Sequence, residues 1–242
     1  MSDYLYTSMS GALNTVTAQS IRANNLANAN TTGFRRDFES ATSFEVDGGG
    51  FKTNVLSQTQ QPLTDFKSGQ LQNTGRDLDV GIRGNGFLSV LDDNGQEAYT
   101  RAGNLEVNAD GQLTSLDRSV VGAGGEINVP EYRNLSIGSI GNISVTTPGG
   151  GQLEAGQLKL VNPDPAEMVK GPDGLFRPRD GGVLAQDENV VVASRHLESS
   201  NVNPVDEMVA TMSLSRTFDI QLKMMKTADE NAAAGSRLVR GG

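Results

Sequence analysis

Between Ser2 and about Ala29 the apolar positions Tyr6, Met9, Leu13, Val16, Ala23 and Ala27, with Ser20 interposed, recur in alternating steps of three and four. That spacing predicts one long helix with a narrow, coiled-coil-like seam. Ser2 stands where an N-cap belongs, and Gly33, behind Thr31 and Thr32, is a stop signal. Such a helix runs ~40 Å at 1.5 Å per residue. A second helical pattern opens at Asn203, a cap residue, with Pro204 at the first helical position and Asp206 and Glu207 in the first turn, where carboxylates suit the helix dipole. Val205, Met208, Met212, Phe218, Leu222 and Met225 follow at mostly helical spacing. The two ends are expected to pair, parallel or antiparallel, as one rod-like element.

Between the helices the period changes. Leu78, Val80 and Ile82, then Phe87 to Leu91, Leu105 with Val107, and Leu135 with Ile137 alternate as strand residues do, and "DDNG", "NADG" and "GPDG" punctuate them as turns. Of the 29 glycines, 21 lie between Gly69 and Gly182, so loop chemistry is concentrated there. The fold class is therefore α+β: long N- and C-terminal helices packed together in a coiled-coil-like way, with an inserted all-β, Gly-rich domain. The expected divisions are an N-terminal helix over 1–34, a connector over 35–67 marked as extended or flexible by Gly48, Gly49 and Gly50, a β-rich domain over 68–196, and a C-terminal helix over 197–242.

Charge alters the view of the first helix. Residues 1–32 hold only Asp3 and Arg22 as charged groups, against 20% charged residues in the whole chain, and 14 Ser, Thr and Asn residues fill the polar positions. A helix on the outside of a soluble monomer carries charge on its wet face, whereas uncharged polar groups can be buried if they find partners. Two readings stand: an amphipathic helix on the protein's own core, or a helix surrounded by copies of itself. "NNLANANTTGFRR" sharpens the choice, because four asparagines, Asn24, Asn25, Asn28 and Asn30, fall within seven residues. Asparagine is a poor helix-interior residue, but its amide offers two donors and an acceptor. These amides are expected either to reach neighbouring subunits or to form a local helix stop.

The chemistry of small sites is sparse. With no cysteine and one histidine, His196, the chain lacks the ligands for thiolate zinc, a His-based metal site or thiol catalysis. "DDNG" at Asp92 to Gly95 lacks the alternating ligands of a calcium loop, and "GIRGNGF" from Gly81 lacks the strand-to-helix setting of a phosphate loop. The expectation is no enzyme and no cofactor. A net charge of -9 without a basic cluster argues against nucleic acid. No run reaches the ~18 apolar residues of a membrane span, and the N-terminus has neither a basic n-region nor an apolar h-region. These rules alone give a cytoplasmic chain, unless export uses an uncleaved signal.

The motifs themselves resemble a known family. "NNLANANTTGFRR" is similar to the N-terminal motif of the axial proteins of the bacterial flagellum. "GQLQNTGRDLDVGIRGNGFLSV" from Gly69, "YTRAGN" from Tyr99 and "DGQL" from Asp110 resemble the β-domain of its rod and hook branch. "LESSNVNPVDEM" from Leu197 and "RTFDIQLKMMKTADEN" from Arg216 resemble that branch's C-terminal helix. Ser199 departs from the glycine usual before "SNV". With "GQLKLVNP" at Gly156 and "GLFRP" at Gly174, the chain looks most like the proximal-rod type of the basal-body rod proteins, with the distal-rod type as nearest competitor.

The resemblance implies a structural subunit that stacks helically with its own copies and with proximal and distal rod proteins, and so carries motor torque to the hook. It implies passage through the flagellar type III export apparatus without a cleaved signal, and assembly in the periplasm, which overturns the cytoplasmic reading. The surrounding basal-body rings are a candidate contact. The subunit-interface residues it marks are Leu13, Val16, Asn24, Asn25, Leu26, Asn28, Asn30, Gly33, Phe34, Asn201, Val202, Met208, Met212, Phe218, Leu222 and Met225. A different class of function, a secreted module binding cell-wall glycan, has little aromatic surface to work with: 5% of residues are aromatic and none is tryptophan.

Overall fold

The computed structural model describes residues 2–45, 55–59 and 62–240, so Gly48 to Gly50 of the expected connector lie outside the described residues. The chain divides into two compact units: a helical unit of Met1–Ala29, Arg36–Asp65 and Val202–Gly242, and a β unit of Asn30–Arg35 and Phe66–Asn201.

In the helical unit, α1 spans Ser2–Ala27 and α2 spans Pro204–Arg240. Asn203 caps α2: its side-chain oxygen accepts from the Val205 N–H at 3.1 Å, which satisfies one of the donors a helix start leaves open. The helices run antiparallel, because Arg22 of α1 meets Glu207 while Thr15, earlier in α1, meets Gln221, later in α2. The segment read as a connector contains paired backbone. Asp37–Phe38 ladders with Leu63–Thr64, and Ala41–Glu45 with Val55–Thr59, both antiparallel. Two of these strands, Asp37–Phe38 and Val55–Thr59, pack against α1.

The β unit carries the core. Its largest sheet has five strands in the order Leu160–Val161, Phe87–Leu91, Glu97–Thr100, Phe176–Pro178, Met168–Lys170. Two three-stranded sheets, one of Leu105–Val107, Leu113–Ser115 and Arg118–Ser119 and one of Asn134–Ile137, Asn142–Thr146 and Gln152–Gln157, add their inward residues. Val90, Leu105, Val120, Ile143 and Leu158 are fully buried in the resulting cluster. A second cluster of Phe87, Phe176 and Phe66 rings surrounds Tyr99, whose hydroxyl accepts from the Leu184 N–H at 2.7 Å. The turns fall where the punctuation predicts. Asp92 accepts from Asn94 and Gln96 N–H at 2.9 Å each, which fixes the Asp92 to Gly95 hairpin. Gly84 and Gly86, at φ +71° and +146°, make "GIRGNGF" a strand-to-strand turn.

The outgoing chain pairs with the incoming chain. Val191–Ser194 ladders with Val80–Arg83, and His196–Glu198 with Leu71–Asn73. Arg195, at φ +61°, sits between the two ladders and donates its N–H to Asp79 O at 2.7 Å.

Candidate assembly interface

The faces of the two helices are distributed in an unusual way. On α1 the side turned inward is made of small and polar residues: Ala12, Thr15, Ala18, Ile21 and Asn25 are buried. Gly11 marks how closely the helices approach, since a Cβ there would lie 2.9 Å from Gln221. On α2 the least exposed line, Glu207, Thr211, Leu214, Phe218, Gln221, Met225 and Ala228, advances in steps of four and three. The contacts that set register are polar. Thr15 donates to Gln221 Oε1 at 3.1 Å, and Arg22 donates to both oxygens of Glu207 at 3.2 and 3.3 Å, with the Glu207 side chain 1% exposed. Paired polar groups of this kind specify one alignment while adding little net stability.

The large apolar residues face the other way. Met9, Leu13 (60% exposed) and Val16 line the outside of α1, so the seam read from the sequence is corrected: it is the outward stripe, and the smaller residues make the intramolecular seam because they let α2 approach. On α2, Met208, Val209, Met212 (63% exposed), Ile220, Leu222 and Met224 are exposed on several sides of the helix. Large apolar residues left exposed on more than one side of a helix are suited to contacts beyond its own partner helix.

Other expected interface positions lie inside the chain. Asn25 is fully buried; its Nδ2 donates to Asp37 O at 2.7 Å and its Oδ1 accepts from Asp37 N at 2.9 Å. That amide clasps an extended backbone as a strand neighbour would, and its burial keeps it from the surface where another subunit would meet it. Gly33 and Val202 are also buried. This corrects the sequence reading for these three positions. Leu26, Asn28, Phe34, Asn201, Phe218 and Met225 are partly exposed, and Asn24 and Asn30 are exposed along with Leu13, Val16, Met208, Met212 and Leu222. The Asn28 amide donates to Asn24 O at 2.9 Å, one turn back, as a helix-stop residue does.

Within the β unit, Arg35 of "TGFRR" joins a buried ion cluster that sequence reasoning missed. Glu198 accepts from Arg35 at 2.6 Å on one oxygen and from Arg101 at 2.5 and 2.8 Å on the other, and it also takes the Gly69 N–H at 2.8 Å. All three side chains are at most 2% exposed. Arg101 donates further to the carbonyls of Ile82, Gly84 and Gly86. Burial pulls its guanidinium below the ordinary arginine range, and Glu198 opposes that pull. Lys170 stands 3.8 Å over the Phe34 ring and donates to Arg35 O at 2.7 Å. Gly33, at φ +68°, donates to Glu198 O at 2.8 Å, and a Cβ there would lie 2.3 Å from the Arg101 carbonyl carbon. Ser199, the departure from the family pattern, keeps negative φ, and its hydroxyl accepts from the Gln70 N–H at 3.1 Å.

Comparison with known proteins finds three family models along the chain. The family model described as flagella basal body rod protein matches residues 5–35, the flagellar hook protein FlgE/F/G D1 domain matches 81–145, and the flagellar basal body rod FlgEFG protein C-terminal matches 193–238. The chain is 38% identical to flagellar basal-body rod protein FlgF of Salmonella typhimurium and 36% identical to FlgF of Escherichia coli, each over 99% of both chains. It is 30% identical to flagellar basal-body rod protein FlgG of Bacillus subtilis, over 93% of this chain and 95% of that one. Similar along its whole length to proteins of the rod, and matching the rod and hook models at both helices and in the β unit, the chain belongs to the flagellar basal-body rod protein family as a FlgF-like structural subunit.

Proposed function

We propose that this rod subunit belongs to the proximal rod, where its copies and the neighbouring proximal and distal rod proteins stack helically and transmit motor torque to the hook. The proximal reading is supported by the higher identity and fuller coverage against FlgF than against FlgG. The assembly reading is carried by one observation: the helices are paired through small and polar residues and keep their large apolar residues outside. Neighbouring helices bury those residues, at ~25 cal/mol per Å² of apolar surface. In the assembled wall α1 and α2 pack as a coiled-coil-like pair, and Leu13, Val16, Asn24, Asn30, Met208, Met212 and Leu222 are the positions that meet other subunits. Export proceeds through the type III apparatus without a cleaved signal, and assembly takes place in the periplasm.

The test is a strain lacking this chain, in which basal bodies stop at an incomplete rod with no hook. Complementation with Leu13→Glu, on the exposed stripe, leaves the protein exported and the arrest in place. A rod completed in the deletion strain removes the subunit from the proximal rod.

A further inference from the structure

We propose that a groove along one flank of α2 receives the Met9, Leu13 and Val16 stripe of a second copy of this chain. The inference rests on the rod-subunit reading and gives its copy-to-copy contact a direction. The groove, about 540 Å³, is lined by Ser8 of α1 and by Ile220, Lys223, Met224, Thr227, Ala228 and Asn231 of α2.

Four observations select the occupant. The first is charge. The line on α2 that runs from Ala210 through Thr217, Ile220 and Met224 to Asn231, in steps of three and four, holds no charged side chain, and neither does α1 from Tyr4 to Ile21; Lys223, beside that line, brings one charge to the groove. Two copies that each carry a net charge of -9 repel, and charge-free faces are where they approach at least cost in desolvation and repulsion. The other outward flank of α2, with Met208, Met212 and Leu222, is interrupted by Asp219 and Lys226, which would have to be desolvated.

The second is hydrogen bonding. Three exposed hydroxyls on the two surfaces turn back onto their own helix: Thr17 donates to Leu13 O at 3.1 Å, Thr217 to Ser213 O at 3.1 Å and Thr227 to Lys223 O at 2.9 Å. The donors of these threonines are satisfied before any contact forms, which lowers the cost of drying the two faces. The third is length. At 1.5 Å per residue the stripe spans about 10.5 Å and the groove from Ile220 to Asn231 about 16.5 Å, so three anchors at i, i+4 and i+7 fit within it. The fourth is topology. Stripe and groove are different surfaces of one chain, so their union is heterologous and leaves a free stripe at one end and a free groove at the other, as an open helical array requires.

Because the chain has no cysteine, the contact can be read by single-cysteine pairing. Leu13→Cys and Met224→Cys are co-expressed on separate copies in cells lacking the wild type, basal bodies are isolated and oxidised with copper–phenanthroline, and dimers are read on a non-reducing gel. Leu13→Cys with Met224→Cys gives the dimer; Leu13→Cys with Met212→Cys, and each variant alone, does not, since a disulfide needs Cα atoms within about 7 Å. Val16→Cys replaces Leu13→Cys if the latter is not incorporated. Dimers from the Met212→Cys pairing, or from Leu13→Cys alone, overturn the groove assignment while leaving the rod role intact. A photo-crosslinker at Leu13 that captures a different rod subunit, with no copy-to-copy product, overturns it as well. If basal bodies contain none of the unmodified chain, the rod-subunit reading itself falls.

Discussion

At the scale of single residues the Glu198 cluster is the most exposed to mutation. Replacing Glu198 by Gln leaves Arg35 and Arg101 buried without their counter-charge, and breaking a buried pair from one side costs ~3–5 kcal/mol. Urea unfolding of Glu198→Gln is expected to show that loss, with the unfolding slope unchanged. Gly33→Ala adds the left-handed backbone cost of ~1–2 kcal/mol to a clash with the Arg101 backbone, and the same measurement reads it. Two carboxylates set the acid limb. The hydrogen bond from Arg177 is the largest cause holding both Asp92 and Asp173 below the usual carboxylate range. Their folded values lie below the unfolded ~3.9, so the stability they contribute is present above that pH and is lost as pH falls further, through the folded values. The drop in urea midpoint between pH 5 and pH 3 is therefore expected to shrink in Arg177→Gln. Tyr99 sets the alkaline limb. Burial pushes its hydroxyl up to about 12, so between the unfolded value of ~10 and the folded one only the unfolded chain ionises and stability falls. Absorbance titration of tyrosinate shows one late-titrating tyrosine, absent in Tyr99→Phe.

At the scale of elements, what could be read from sequence follows from what each pattern reports. The β unit was legible because alternation such as Val80 and Ile82, or Leu135 and Ile137, reports burial within the same chain, and Asp92 to Gly95 closes a turn by local hydrogen bonds. The helices were legible as helices, but the inward face of α1 was not. Periodicity picks out the largest apolar residues, and here those lie on the outside of the helix pair, while Gly11, Thr15 and Ala18 answer to α2. The paired strands inside 35–67 escaped because Ala41–Glu45 and Val55–Thr59 carry little alternation. The Glu198 cluster escaped because its members are scattered along the sequence, at 35, 101 and 198. Met212→Glu separates the two kinds of burial: its side chain is largely exposed, so the monomer's unfolding changes by no more than ~0.5 kcal/mol while incorporation into rods is lost.

At the scale of the whole molecule, stability is divided unevenly. The aliphatic and aromatic clusters lie in the β unit, whereas the buried apolar residues of the helical unit are Ala12, Ala18, Ile21 and Val202 among the described residues. Backbone ordering costs ~1–2 kcal/mol per residue, and so few apolar contacts hardly offset it. Limited proteolysis of the purified monomer is expected to trim both termini and leave a fragment near Phe66–Asn201, with the termini protected in assembled rods. Termini that resist cleavage in a proven monomer would sink this division of stability. On the proposed assembly, the outward-facing methionines and leucines also set how the rod answers to temperature. Apolar surface that leaves water only on assembly makes the heat capacity of polymerisation strongly negative, while the register-setting pairs Thr15 with Gln221 and Arg22 with Glu207 contribute little to it. Subunit cohesion therefore weakens on cooling while the β unit stays folded, and isolated rods of this protein are cold-labile at their joints before they are cold-labile in their parts.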